Sequence, residues 1–292
     1  MPEHADAGSV FASFFDDAAI FPPGEAPLDR AVREHVARRS TDLGSWIGPL
    51  LLTPDRLDEA ARPFTDTGDA KPLRVGVVVP PARLDDTLST IAKITPTVRV
   101  TGLEFKPADT GLDRLVAEAA ALAEKFDVHL ELPVQYVLAQ GLNILEDTPV
   151  RLKVRTGGLD PRAFPSVDEL AATIGTAVRT GVPFKLTAGL HRAIRYTDES
   201  TGFTHHGFLN IAMATAAALE GAKDDALAEI LAERNGELLA ADFRRRDARW
   251  RSSFESFGTC SITEPVDTLA GLGFPTPPTG SPRAASPHSQ ES

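Results

Sequence analysis

Short apolar runs and longer amphipathic stretches alternate along the chain. The runs are FASFFDDAAIF, SWIGPLLL, LRVGVVV, VRVTGLEFK, DVHLELP, VRLKVRTGG, VPFKLTAGL and, with a weaker pattern, FGTCSIT. Most are β-branched or aromatic and stop at Pro or Gly, which is the signature of strands. Between them, residues 26–39, 54–62, 81–94, 111–125, 134–146, 166–180 and 207–248 carry helical periodicity. TGLDRLVAEAAALAEKF places Leu112, Leu115, Val116, Ala119 and Leu122 on one face. Ser166 and Glu169 have capping-box spacing, and Gly181 supplies a C-terminal stop.

Eight strands alternating with helices predict a (β/α)8 TIM-type barrel over residues 1–274, with an expanded helical segment at 207–248 before the last strand. An open doubly wound sheet is the competing topology. The chain lacks the Gly-rich G-x-G-x-x-G and P-loop stretches that accompany nucleotide-binding versions of it. From Pro275 the sequence PTPPTGSPRAASPHSQES has no large apolar residue, so 275–292 is expected to be a disordered Pro/Ser-rich tail.

Strand alternation sorts the polar residues. In DVHLELP, Val128, Leu130 and Leu132 form the row that helices must cover, so His129 and Glu131 point into the barrel. The same parity turns Glu104 and Lys106, Arg151, Lys153 and Arg155, and Lys185 and Thr187 inward. Four successive strands thus put charge where barrels ordinarily hold Val, Ile and Leu, most of it near the C-terminal strand ends that carry active sites. An unpaired charge there would be very costly, so the set reads as a site. Arg151, nearer the other end, suits salt bridges that close the N-terminal mouth.

The formal net charge of −11 makes nucleic acid and anionic membranes poor partners. Cys260 is the single cysteine, which excludes an intramolecular disulfide. The start MPEHADAGSVFASFF has no basic n-region or apolar h-region, and no window approaches a membrane span. A cytoplasmic protein with a small anionic substrate is expected, as a monomer or a homo-oligomer.

Lysine-centred chemistry fits the inward set. A lysine amine among other cations loses its proton more readily and can attack a carbonyl. Lys153 and Lys185 form the preferred pair, with Lys106 as a third amine and Glu131 and Glu104 as acid/base candidates. Arg155 with the Thr156-Gly157-Gly158 turn suits a carboxylate or phosphate. Thr187, His129, His191, Arg192 and His206 are further candidates for contact with substrate, and no cofactor is required.

The stretch LKVRTGG…VPFKLTAGL resembles the paired strands of deoxyribose-phosphate-aldolase-type class I aldolases. In that family one strand carries Lys-x-Ser-Thr-Gly and the next Lys-x-x-Gly-Gly. The resemblance implies that Lys153 forms the Schiff base and Lys185 assists it. It covers about forty residues. Arg155 stands where the family has a small hydroxyl residue, TAGL replaces the double glycine, and EFK stands where an aspartate strand is expected. The whole chain also resembles a group of bacterial proteins sharing FDDAAIFPPG, PFKLTAGLH, HGFLN and SFGTCS elements, which implies no particular activity.

Two alternatives remain at this level. Asp16 and Asp17, read as following the first strand, could join Glu104 and Glu131 around Mg2+ or Mn2+ for enolisation or decarboxylation. A non-catalytic barrel could instead capture an anionic metabolite through Lys106, Arg155, Lys185 and Arg192. For the rest, turn chemistry suits the aspartates near the Pro-Pro-Gly stretch, Asn210 suits a satisfied buried amide, and Cys260 a structural thiol.

Overall fold

The structure is a computed structural model that describes residues 10–81, 83–107 and 111–278. Eight parallel strands close into one barrel: β1 (Phe15–Asp17), β2 (Ile47–Leu52), β3 (Leu73–Val79), β4 (Val98–Phe105), β5 (Asp127–Glu131), β6 (Arg151–Arg155), β7 (Phe184–Thr187) and β8 (Phe254–Thr259), with β8 paired back to β1. Helices α1 (Leu28–Arg39), α2 (Leu57–Thr65), α3 (Leu84–Lys93), α4 (Leu112–Leu122), α5 (Val134–Gln140) and α6 (Val167–Thr180) follow the first six strands. The chain is therefore a (β/α)8 barrel of TIM type. The tail expected over 275–292 lies, from residue 279 on, outside the described residues.

The expanded segment before the last strand resolves into α7 (Phe208–Leu219), α8 (Asp224–Ala232) and α9 (Gly236–Phe243). Helix α7 is apolar nearly all round and is buried from Phe208 to Ala217. It can be so because α8 packs over both α6 and α7, forming a second layer there. The capping box is present at α6: the Ser166 hydroxyl accepts from Glu169 N–H, Glu169 accepts from Ser166 N–H, and Gly181 ends the helix at φ 68°. A further helix, α10 (Thr263–Gly271), follows β8. The sequence reading did not assign it. No helix among the described residues is long and apolar enough to cross a membrane.

The ends of the barrel differ from expectation in ways that matter for the site. Strand β1 has three residues, and Asp16 and Asp17 lie within it rather than after it. Phe11 and Phe14 come from a turn preceding β1 and pack with Phe15, Trp46, Trp250 and Phe257. Aromatic burial, not strand pairing, explains why FASFF is apolar. Strand β8 begins at Phe254, three residues earlier than FGTCSIT, and its register on β7 shifts between Phe254 and Ser256. That irregularity lets Phe254 stack on Phe184 in the outer core while Ser256 stands beside Lys185.

Candidate active site

The barrel axis holds a column of alternating charge. Ser256 Oγ donates to Asp16 Oδ2 at 2.8 Å, and Lys185 Nζ lies 2.5 Å from both Asp16 Oδ2 and Glu104 Oε1. Lys153 Nζ is 2.8 Å from Glu104 Oε2 and from Glu131 Oε2, and Arg155 Nε donates to Glu131 Oε1 at 3.3 Å. Three acids and three bases therefore neutralise one another, buried at Asp16, Lys185, Glu104 and Lys153 and opening to solvent at Arg155. Lys153 thus bridges the Oε2 atoms of Glu104 and Glu131.

Small residues across the barrel make room for these side chains. A Cβ at Gly48 on β2 would overlap the Asp16 carboxylate. Gly76 on β3 lies against Leu51, so the β2–β3 wall stays thin and apolar while β4 to β7, with Asp16 on β1, supply the charge.

Burial alone would disfavour every ion in the column. At Glu104 the ammonium groups of Lys153 and Lys185 outweigh burial and hold the carboxyl well below the ordinary range. At Lys185 burial is likewise outweighed, by Asp16 and Glu104, and the ammonium is held more firmly than in water. This corrects the expectation that Lys185 sits in a cationic, pKa-lowering environment: carboxylates, not cations, are its nearest neighbours. Burial opposes ionisation of Glu131 too, but Lys153, Arg155 and Lys106 prevail.

Above the column, at the C-terminal strand ends, a cavity of about 310 Å3 is lined by Lys106, Glu131, Arg155 and Arg162, with Leu132 and Val134 among its apolar walls. Lys106 follows the last residue of β4 and is half-buried. Among the described residues it has no carboxylate within ion-pairing distance. Burial depresses its pKa, Glu131 opposes that, and Arg155 and Lys153 reinforce it. Arg162 was not foreseen, because it reaches the cavity from the loop between β6 and α6, where strand parity gives no guidance.

Below the column, a cavity of about 160 Å3 at the N-terminal mouth reaches Asp16, Glu104 and Lys185 from the opposite side. Arg151 closes this mouth through Asp127 at 2.8 Å and Glu255 at 3.3 Å, as its position on β6 suggests. His129 belongs here rather than with the upper cavity. Its Nε2 is 3.2 Å from Glu255 Oε2, and burial, partly offset by Glu255, lowers its pKa. Glu255 and Ser256 lie ahead of the FGTCSIT run, within a strand that begins at Phe254.

Several other candidates serve packing. Asp17 faces out of the barrel, with Oδ2 3.1 Å from His35 Nδ1 and 3.6 Å from Arg38, so it cannot share an ion with Asp16. Among the described residues no group of three or more His, Cys, Asp or Glu side chains is arranged to hold a metal. Thr156 is fully buried and donates its hydroxyl to Ala188 O at 2.7 Å. Gly157 meets Gly189 so closely that a Cβ would fall 2.7 Å from the Gly189 Cα. The TGG turn is thus a seam between the β6 and β7 loops, and Thr156, Gly157 and Gly158 do not line the upper cavity. Thr187 faces the interior beside Gly258, and its carbonyl accepts from Thr156 N–H.

The loop after β7 forms a small hairpin, Tyr196–Thr197 with Thr204–His205. Arg192 lies 4.2 Å over the Tyr196 ring and 3.3 Å from Glu264. His191 Nδ1 is 3.8 Å from Cys260 Sγ and 3.6 Å from Glu264. Neither His191 nor Arg192 lines the upper cavity. The Cys260–His191 contact joins residues 69 apart in sequence, and burial pushes the thiol up, away from thiolate. His206 is fully buried between Pro165 O at 2.8 Å and Arg195 Nη1 at 3.0 Å, so both ring nitrogens are committed. Burial, against the Pro165 hydrogen bond, lowers its pKa to about 4. Asn210 is satisfied by Arg195 N–H, Ile230 O and Glu233 O.

The fold and site together define a barrel with an ionic interior and a cationic upper cavity. No family model, curated protein or solved structure matches the chain.

Proposed function

We propose that the protein is an enzyme acting on a small carbonyl compound that carries a carboxylate or phosphate, through imine formation on a lysine, with lyase or aldolase-type chemistry. The observation that supports this reading best is the upper cavity. It brings an amine, two guanidinium groups and a part-buried carboxylate to one space at the end of the barrel where such folds do chemistry. Arg155 would take the anionic group; Arg162, exposed and paired to Asp160 at 2.6 Å, stands at the rim of the cavity. The amine would add to the carbonyl carbon, the oxygen would leave as water, and the resulting iminium would draw electrons from the adjacent bond. Glu131, ionised and lining the cavity, would accept the proton released as that bond breaks. An iminium keeps the positive charge of the ammonium it replaces. No metal or cofactor enters these steps.

Borohydride trapping with a panel of aldehydes and oxo acids, in EDTA, tests the reading. A covalent adduct of the expected mass on a lysine of the barrel interior supports it. Absence of an adduct from every carbonyl overturns it and leaves binding of an anionic metabolite, measurable by calorimetry, as the use of the cavity.

A further inference from the structure

We infer that Lys106, rather than Lys153 or Lys185, is the amine that attacks the substrate carbonyl. This rests on the imine reading above. An attacking amine must be reachable and must shed its proton without stranding a charge. Lys153 and Lys185 are each about 3% exposed and lie within 2.8 Å of two carboxylates. Withdrawing either proton would leave buried carboxylates uncompensated, which is strongly unfavourable. Lys106 meets both requirements. It lines the upper cavity and is half-buried.

The charged groups facing it are Glu104 from its own strand, Glu131 from β5, and Lys153 and Arg155 from β6, with Arg162 on the same cavity. The first two carboxylates are already engaged by Lys153, Lys185 and Arg155. Among the described residues, Lys106 is therefore the cation left over from the pairing. Loss of its proton makes the interior neutral, whereas loss from either partner lysine makes a paired carboxylate an orphan. Lys153 and Lys185 then act as fixed cations that keep Glu131 and Glu104 ionised.

The addition balances simply. The Nζ lone pair forms the N–C bond, the carbonyl oxygen takes one proton from Nζ and one from solvent and departs as water, and an iminium that keeps the second Nζ hydrogen remains. In the test, hydride from borohydride reduces that C=N bond to a secondary amine. The probes are glyoxylate and glycolaldehyde phosphate, each trapped on the full chain at pH 7 and mapped by peptide mass spectrometry. The expected result is an adduct on Lys106 at least tenfold more abundant than on Lys153 or Lys185. It should disappear in Lys106→Arg, which keeps the charge and bulk. An adduct on Lys153 or Lys185 that exceeds a tenth of that on Lys106 overturns this assignment and leaves the imine reading standing. No adduct on any interior lysine overturns both. As a second readout, reductive methylation with 13C-formaldehyde and an NMR pH titration should give a Lys106 resonance titrating below the ordinary lysine value of 10.5. Titration at or above that value overturns the assignment.

Discussion

Lys153 and Lys185 stand opposite each other in the β6–β7 ladder and divide the two oxygens of Glu104 between them. One carboxylate on β4 thus ties together two neighbouring strands from across the barrel. Replacing Glu104 by Gln should leave both ammonium groups underpaired in a dry interior. The expected loss is about 3–5 kcal/mol, read by urea denaturation. Glu118→Gln, which removes an exposed i,i+4 partner of Arg114, should change stability by less than about 0.5 kcal/mol. Equal effects of the two changes would contradict the ionic column.

The same column sets a pH window. Glu104 and Glu131 are more acidic folded than unfolded, so their contribution is complete above the unfolded value of 4.5 and is lost as pH falls toward the folded values. Lys185 is more basic folded than unfolded, so its contribution is complete below 10.5 and is lost as pH rises toward its folded value. Urea midpoints should therefore hold a plateau between these limits as far as this network is concerned. The acid limb should be shallower in Glu104→Gln.

His206 adds an acid-side loss of its own. Its folded pKa of about 4 lies below the ordinary 6.5, so the unfolded chain binds a proton that the folded chain refuses. Stability falls as pH drops from 6.5 toward 4, by up to about 3 kcal/mol. In His206→Gln, whose side chain does not titrate, that portion of the slope should vanish. An unchanged slope would show that the ring is not held neutral.

Gly48 and Asp16 should behave as one unit. Gly48→Ala places a methyl where the Asp16 carboxylate lies, so it should destabilise by more than about 2 kcal/mol. In an Asp16→Ala background, which is itself costly because Lys185 loses a partner, the added cost of Gly48→Ala should shrink to under about 1 kcal/mol. Additive effects would mean that the two do not meet.

Arg155 offers a functional readout. If it holds the anion of the substrate, Arg155→Ala should cut trapping of glyoxylate about tenfold or more while sparing a neutral aldehyde, since a charge-assisted hydrogen bond is worth about 1.5–3 kcal/mol. Loss of both reactions in parallel would point to a collapsed cavity instead.

Much of this arrangement can be read along single strands. Alternation in β4, β5, β6 and β7 assigns Glu104, Lys106, Glu131, Lys153, Arg155 and Lys185 to the interior, because a strand must give its apolar row to the helices. What a strand cannot disclose is which charge meets which. Asp16 and Lys185 are 169 positions apart and touch only because β8 closes onto β1. Glu255 and Ser256 escaped notice because a register shift moves β8 out of simple alternation. Arg162 and the His206 clamp come from loops, where periodicity carries no information. The opposite facing of Asp16 and Asp17 does follow from alternation, but only once β1 is placed across both residues.

The Gly48 gap and the column it accommodates also constrain how such a barrel can change through descent. Interior acids and bases share partners along the column, so a single substitution leaves its neighbours underpaired, and a tolerated replacement needs a second one at a position it touches. In relatives of this chain, Asp16 with Lys185, Glu104 with Lys153, and Glu131 with Arg155 should be inherited as linked pairs. Gly48 should be free to acquire a side chain only in lineages that have given up the aspartate opposite it.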